Sequence, residues 1–128
     1  MKFIKMHAAG NDYVYVDGDK YDFADVSAAA KKISDRRFGV GSDGLIVLSS
    51  DKTGKADFFM HIFNADGSEG ATCGNGIRCS AVFAYLTGRT TAKKVTVRTL
   101  SAVHTVTFDK RGNEFFSSTD FPLPKVLP

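Results

Sequence analysis

Cysteine, proline and long runs of apolar or basic residues are all scarce in this 128-residue chain, and each shortage removes a class of protein. The two cysteines, Cys73 and Cys79, are too few for a disulfide framework. If both lie on or just before one helix, their spacing gives about 9 Å of rise and roughly 240° of rotation. A bridge needs Cα atoms within about 7 Å, so the pair is expected to be reduced. Nor does the spacing suit a structural zinc site, and the three histidines are scattered. No apolar run approaches the roughly 20 residues that cross a bilayer, and Met1 to Ala9 has no apolar centre of the signal-peptide kind, so the expected location is cytoplasmic. The net charge of +3 comes from dispersed Lys and Arg without a long basic block, which argues against a nucleic-acid partner. All three prolines fall in the end segment DFPLPKVLP, which can hardly continue a sheet. Residues 121–128 are therefore expected to form a domain edge or linker, and residues 1–120 one domain.

What is present is a globular composition, 43% hydrophobic and 24% charged. Lys2 to His7 and Tyr13 to Asp17 predict two short strands joined by AAGND, a turn of small residues. DVSAAAKKISDRRF, from Asp25, predicts a helix with Asp25 as N-cap, basic residues near its end, and Gly39 or Gly41 as its stop. The next residues, GVGSDG, match the G-x-G-x-x-G string of dinucleotide sites, but order argues against that chemistry. A nucleotide fingerprint follows a strand and opens a helix, whereas this one follows a helix and opens a strand, Leu45 to Ser49. Ala56 to Asn64 alternates Phe58, Met60 and Ile62 against Phe59, His61 and Phe63, as a strand covered on both faces does. His61 is expected to be a packed or hydrogen-bonded strand residue rather than a base. Lys94 to Thr99, Val103 to Asp109 and Glu114 to Thr119 predict three further strands, with KRGN as the last turn.

Between these lies ATCGNGIRCSAVFAYL, where a glycine turn runs into a segment apolar on nearly every face. Such a helix is buried on all sides, and Gly88 is its expected C-cap. The economical fold is α+β, a mostly antiparallel curved sheet wrapped around a central apolar helix. If that helix starts near Asn75, its unpaired amides and positive dipole end point at Cys73, where a thiolate or a bound anion is stabilised. Cys79, inside the helix, reads as a small buried hydrophobe. From these features alone Cys73 is either a reactive thiol beside an anion pocket or a second buried thiol.

The motifs resolve further by resemblance. KMHAAGNDYVYVD, RRFGVGSDGLIVL, FNADGSE and CGNGIRC resemble, in order, the signature segments of the diaminopimelate epimerases, a cofactor-independent amino-acid racemase family. From Thr87 onward only the strand pattern is similar, and RTLSAVHT has Ala102 where the family usually has glycine. The resemblance implies a diaminopimelate epimerase-like domain serving lysine and cell-wall precursor synthesis by interconverting LL- and meso-diaminopimelate, with no cofactor. It implies two cysteines on opposite faces of the α-carbon, one removing a proton as thiolate and the other delivering one as thiol. Cys73 would be one of the pair. The backbone of Gly74 and Asn75 would hold the α-carboxylate, and Asn11 and Asn64 would contact the substrate's polar groups. Gly44 stands where some members have Gln, so a side-chain contact there is absent. The second cysteine belongs to a C-terminal half, and the resemblance covers the N-terminal half. The expectation is thus an N-terminal domain, shortened by truncation, proteolysis or gene structure and inactive alone, whose partners are the missing C-terminal domain and the amino-acid substrate. Two alternatives stand beside it: a related isomerase completed by a partner chain, and a non-catalytic binding or assembly module forming a homo-oligomer through its uncovered surface.

Overall fold

A computed structural model describes residues 2–8, 11–70, 74–100, 102–111 and 114–119. The chain forms β1 (Ile4–Ala8), β2 (Asn11–Asp17), α1 (Val26–Ser34), β3 (Gly44–Ser50), β4 (Phe58–Asn64), β5 (Glu69–Gly70), α2 (Gly74–Leu86), β6 (Lys94–Arg98), β7 (Val103–Arg111) and β8 (Glu114–Thr119). They build one sheet in the order β1-β2-β3-β4-β6-β7-β8, with β5 paired to β4. The sheet curls around α2, which packs against β1, β2, β3, β6, β7 and β8.

Alternation along the strands decides what each face does. Tyr15 on β2, Ile46 and Leu48 on β3, and Phe58, Met60 and Ile62 on β4 turn toward α2. There they meet Ile77, Ala81, Val82, Phe83 and Ala84, with Val97, Val106 and Phe108 closing the far side. The Tyr15 and Phe83 rings lie 5.5 Å apart, and Phe108 meets Tyr85 edge-on at 5.4 Å. The intervening residues Val14, Val16, Leu45 and Phe63 face the other way and pack on Ala30, Val26 and Ile33 of α1. With each large apolar side chain worth about 1.5–3 kcal/mol on burial, the two-sided pattern is the principal organising force.

The predicted fold class holds, with local corrections. Five strand pairs are antiparallel, but β2·β3 and β4·β6 run parallel, because α1 and α2 each carry the chain back across the sheet before the next strand joins. The first helix stops at Ser34 rather than running to Phe38. The Asp35 carboxylate accepts the amides of Arg37 and Phe38, a local turn that competes with the helix. The predicted cap is present: the Asp25 side chain accepts the Ala28 amide at 3.1 Å. The central helix is not enclosed on every side, since Arg78 is exposed and Leu86 is 47% exposed. Its end follows the glycine prediction: Gly88 takes φ +74°, the Arg89 amide donates to Ala84 O and the Gly88 amide to Tyr85 O, a Schellman closure. The predicted turn residues 9–10 and 112–113, Cys73 itself and the proline-rich end all lie outside the described residues.

Candidate active site

Three sequence motifs that lie far apart in the chain meet at one end of the sheet. In the ladder Tyr13 stands beside Gly44, and Gly44 beside Asn64, so β2 and β3 begin where β4 ends. The joints between them run through Asp43. Its amide donates to Asp12 O at 2.8 Å, its carboxylate accepts the Asp12 amide at 3.0 Å, and its carbonyl accepts the Ala65 amide at 3.0 Å. Gly44 permits the close approach there, since a β-carbon on it would stand 2.3 Å from Phe63 O.

A charge cluster locks these joints. The buried Asp12 carboxylate receives Arg36 Nη2 at 3.0 Å and Nη1 at 3.3 Å, Lys5 Nζ at 3.2 Å, and the Asp43 amide at 3.0 Å. Arg36 also reaches Asp43 at 3.2 Å. The Arg36 guanidinium, working against the penalty of burial and helped by Lys5 and the Asp43 amide, holds the Asp12 carboxyl well below the usual carboxylate range. Asp12, Arg36 and Asp43 therefore hold the motifs together. The GVGSDG segment contributes in a similar way. The amides of Gly39, Gly41 and Ser42 donate to the carbonyls of Asp35, Ile33 and Ser34, closing the end of α1 instead of cradling a phosphate.

The amino end of α2 arrives at the same place. β5 pairs Gly70 with Ile62, two residues before Asn64, and α2 opens at Gly74. Its first turn is fixed by the Tyr15 hydroxyl, which donates to Gly76 O at 2.8 Å in the core. Four backbone amides at the start of any α-helix lack intrahelical partners, so this end presents donors. Asn11 is the half-buried first residue of β2, and Asn64 the exposed last residue of β4. The structure thus brings Asn11, Asn64, Gly44 and the backbone of Gly74 and Asn75 to one end of the domain. Cys73 immediately precedes Gly74 in the chain but falls outside the described residues. Cys79 is half-buried, packed against the main core, about 8 Å along the helix from Gly74.

Other sequence candidates separate from this end. His61 is partnered, as predicted, but by a residue the sequence did not suggest: its Nε2 lies 3.4 Å from a Glu69 carboxylate oxygen across the β4·β5 pair, and its ring is 4.3 Å from that of Phe63. A roomy cleft, about 560 Å³, lies at the opposite end of α2, where Phe83, Leu86 and Thr87 face Phe3 and Tyr21. Among the described residues no group of three or more His, Cys, Asp or Glu could hold a metal ion, and no helix is long and apolar enough to cross a membrane. The Arg36 cluster and the short β5 were not legible from the sequence. The only available signal was that GND and GSDG each carry a carboxylate beside a glycine turn.

Fold and site together define a class: an α+β domain in which a curled sheet holds one helix and gathers polar turns at that helix's amino end. A family model described as diaminopimelate epimerase matches residues 3–120. Curated relatives carry the same description: one from Bacteroides thetaiotaomicron is 44% identical over 93% of this chain, and one from Methanococcus maripaludis is 47% identical over 80%. Those matches span 44% and 36% of the relatives' own lengths, so the chain covers less than half of each. Among solved structures, a methylitaconate-delta-isomerase matches with TM-score 0.70 at 15% identity, covering 97% of this chain and 38% of that one. A phenazine biosynthesis protein of the PhzF family from Bacillus anthracis matches with TM-score 0.66 at 21% identity, covering 90% and 37%. The structural likenesses establish the fold, and the sequence matches establish the family: the chain belongs to the diaminopimelate epimerase family.

Proposed function

We propose that the chain is the N-terminal domain of a cytoplasmic, cofactor-independent diaminopimelate epimerase, interconverting LL- and meso-diaminopimelate, and that these 128 residues do not epimerise alone. The observation that carries this reading is the family match over residues 3–120, with the matching motifs brought to the amino end of α2. In this mechanism the Cys73 thiolate takes the α-proton, so the C–H bond breaks and an S–H bond forms. The electron pair left on the α-carbon is delocalised into the carboxylate. A second thiol on the opposite face gives its proton to that carbon and inverts the centre, and the two sulfurs have exchanged protonation states. Because an α-proton is very weakly acidic, the developing charge must be stabilised, and the free amides of Gly74 and Asn75 at a helix amino end suit the carboxylate. Asn11 and Asn64 contact the remaining polar groups. Exclusion of water and close placement of the thiolate supply the rest of the rate enhancement.

Within these residues Cys79 cannot serve as the second thiol. It sits well inside α2 against the core, and no rotation about its side chain carries it to the far face of a carbon held at Cys73. The second cysteine is assigned to a C-terminal domain that completes the site. The test is epimerisation of LL-diaminopimelate by the intact enzyme and by residues 1–128. Turnover by the intact enzyme that falls at least about a thousandfold in Cys73→Ser, with none by the 128-residue chain, supports the reading. An intact enzyme indifferent to Cys73→Ser, or a short chain that turns over, defeats it.

A further inference from the structure

We propose that Ser68 and Asp66 are positioning residues that hold the Asn64 carboxamide with its oxygen outward, making this corner of the site an acceptor for an ammonium group. The proposal deepens the proposed function and rests on it for the identity of the ligand.

The Ser68 hydroxyl proton has one place to go. The Ser68 hydroxyl lies 2.6 Å from Asp66 Oδ1, and the Ser68 amide reaches the same oxygen at 2.9 Å. An ionised carboxylate only accepts, so the hydroxyl must donate its single proton there. Asp66 is ionised at neutral pH, because the Ser68 hydroxyl and then its amide depress the carboxyl. The hydroxyl is left with lone pairs, and the Asn64 group 3.0 Å away must therefore be the amide nitrogen, which donates to it. The reverse orientation would set carbonyl oxygen against hydroxyl oxygen with no proton between them. Asn64 Oδ1 is thus the atom presented to the site. It has no hydrogen-bond partner among the described residues, and it lies 3.7 Å from where a β-carbon on Gly70 would stand, on the side of the segment leading to α2.

The turn that carries this relay is held from three sides. The Asn64 amide donates to Ser68 O at 2.8 Å, the Ala65 amide to Asp43 O at 3.0 Å, and the Ser27 hydroxyl of α1 to Gly67 O at 2.6 Å. Gly67 takes φ +88°, and a β-carbon there would meet Ser27 Oγ at 2.7 Å. The relay thus reads the polarity of the ligand. Helix amides on one side suit a carboxylate, and a fixed carbonyl oxygen on the other suits one of the two ammonium groups of diaminopimelate.

Two measurements decide it. In the 128-residue chain, NMR should show the Asn64 side-chain amide protons slowed in exchange, and Ser68→Ala should abolish that slowing while the strand amides keep their shifts. In the intact enzyme, Ser68→Ala should raise KM for diaminopimelate about tenfold with kcat within about twofold, the pattern of a lost uniform binding contact. Ser68→Thr, which keeps the hydroxyl, should restore KM. Unchanged Asn64 exchange or unchanged KM in Ser68→Ala overturns the proposal, as does a Ser68→Thr variant as impaired as Ser68→Ala. An intact enzyme inactive on diaminopimelate would defeat the proposed function, while the exchange measurement would still decide whether Ser68 orients Asn64.

Discussion

The two ends of the domain along α2 are each tied down by an arginine between two aspartates, and they differ in what is left facing outward. At the carboxyl end Arg89 is 13% exposed and fully engaged: it reaches Asp19 at 2.7 Å, Leu48 O at 2.9 Å and Asp17 at 3.4 Å, and its guanidinium covers the Phe58 ring at 5.1 Å. At the amino end Arg36 is 59% exposed and serves as a clasp across the surface, with Asp12 beneath it. The first cluster closes a helix end, and its polar groups are satisfied within the fold. The second joins separate turns, with Asn11 half-buried and Asn64 exposed at the same end of the sheet. The roomy cleft belongs to the closed end, away from the turns gathered where β2 and β3 begin and β4 ends.

Three substitutions sharpen the comparison. Arg89→Ala should have the largest effect on stability, about 2–3 kcal/mol in urea unfolding, because it removes a donor to Leu48 O and leaves Asp17 and Asp19 uncompensated at a half-buried helix end. Gly88→Ala at the same end should cost about 1 kcal/mol, since it forces φ +74° on a residue with a β-carbon although nothing crowds the added atom.

Arg36→Ala should cost least at neutral pH, because the arginine is exposed and the Asp12 carboxylate keeps Lys5 Nζ at 3.2 Å and the Asp43 amide at 3.0 Å. Its signature lies in acid. The Asp12 carboxyl is depressed in the folded state, so the unfolded chain binds more protons below about pH 4. The stability that Asp12 contributes is present above that pH and is lost as pH falls toward the folded-state value. Arg36→Ala should flatten this acid-side slope, and a slope as steep as in the unmutated chain would show that the clasp does not govern Asp12.

How much of this was legible in the sequence varies with the range of the interaction. The run Tyr13 to Asp17 announced a strand, and the alternation from Phe58 to Phe63 one covered on both faces, because a period of two is a local property. Asp25 and Gly88 marked helix ends for the same reason: a cap is made within four or five residues of itself. The early end of α1 was missed because Asp35 had a competing local option that helix propensity does not weigh. The partner of His61 and the Arg36 clasp were missed because each depends on which strand lies beside which.

By itself, then, the sequence determined the family, the presence of an apolar helix following Cys73, and the residue types available for chemistry. Only the tertiary structure decided that Asn11, Gly44 and Asn64 share one end of a sheet, that Asp43 stitches their turns together, and that Ser68 and Asp66 dictate which atom Asn64 offers. The reason is physical. Helix, strand and cap are set by neighbours in the chain, whereas the direction of a hydrogen bond is set by every donor and acceptor that folding brings within about 3 Å.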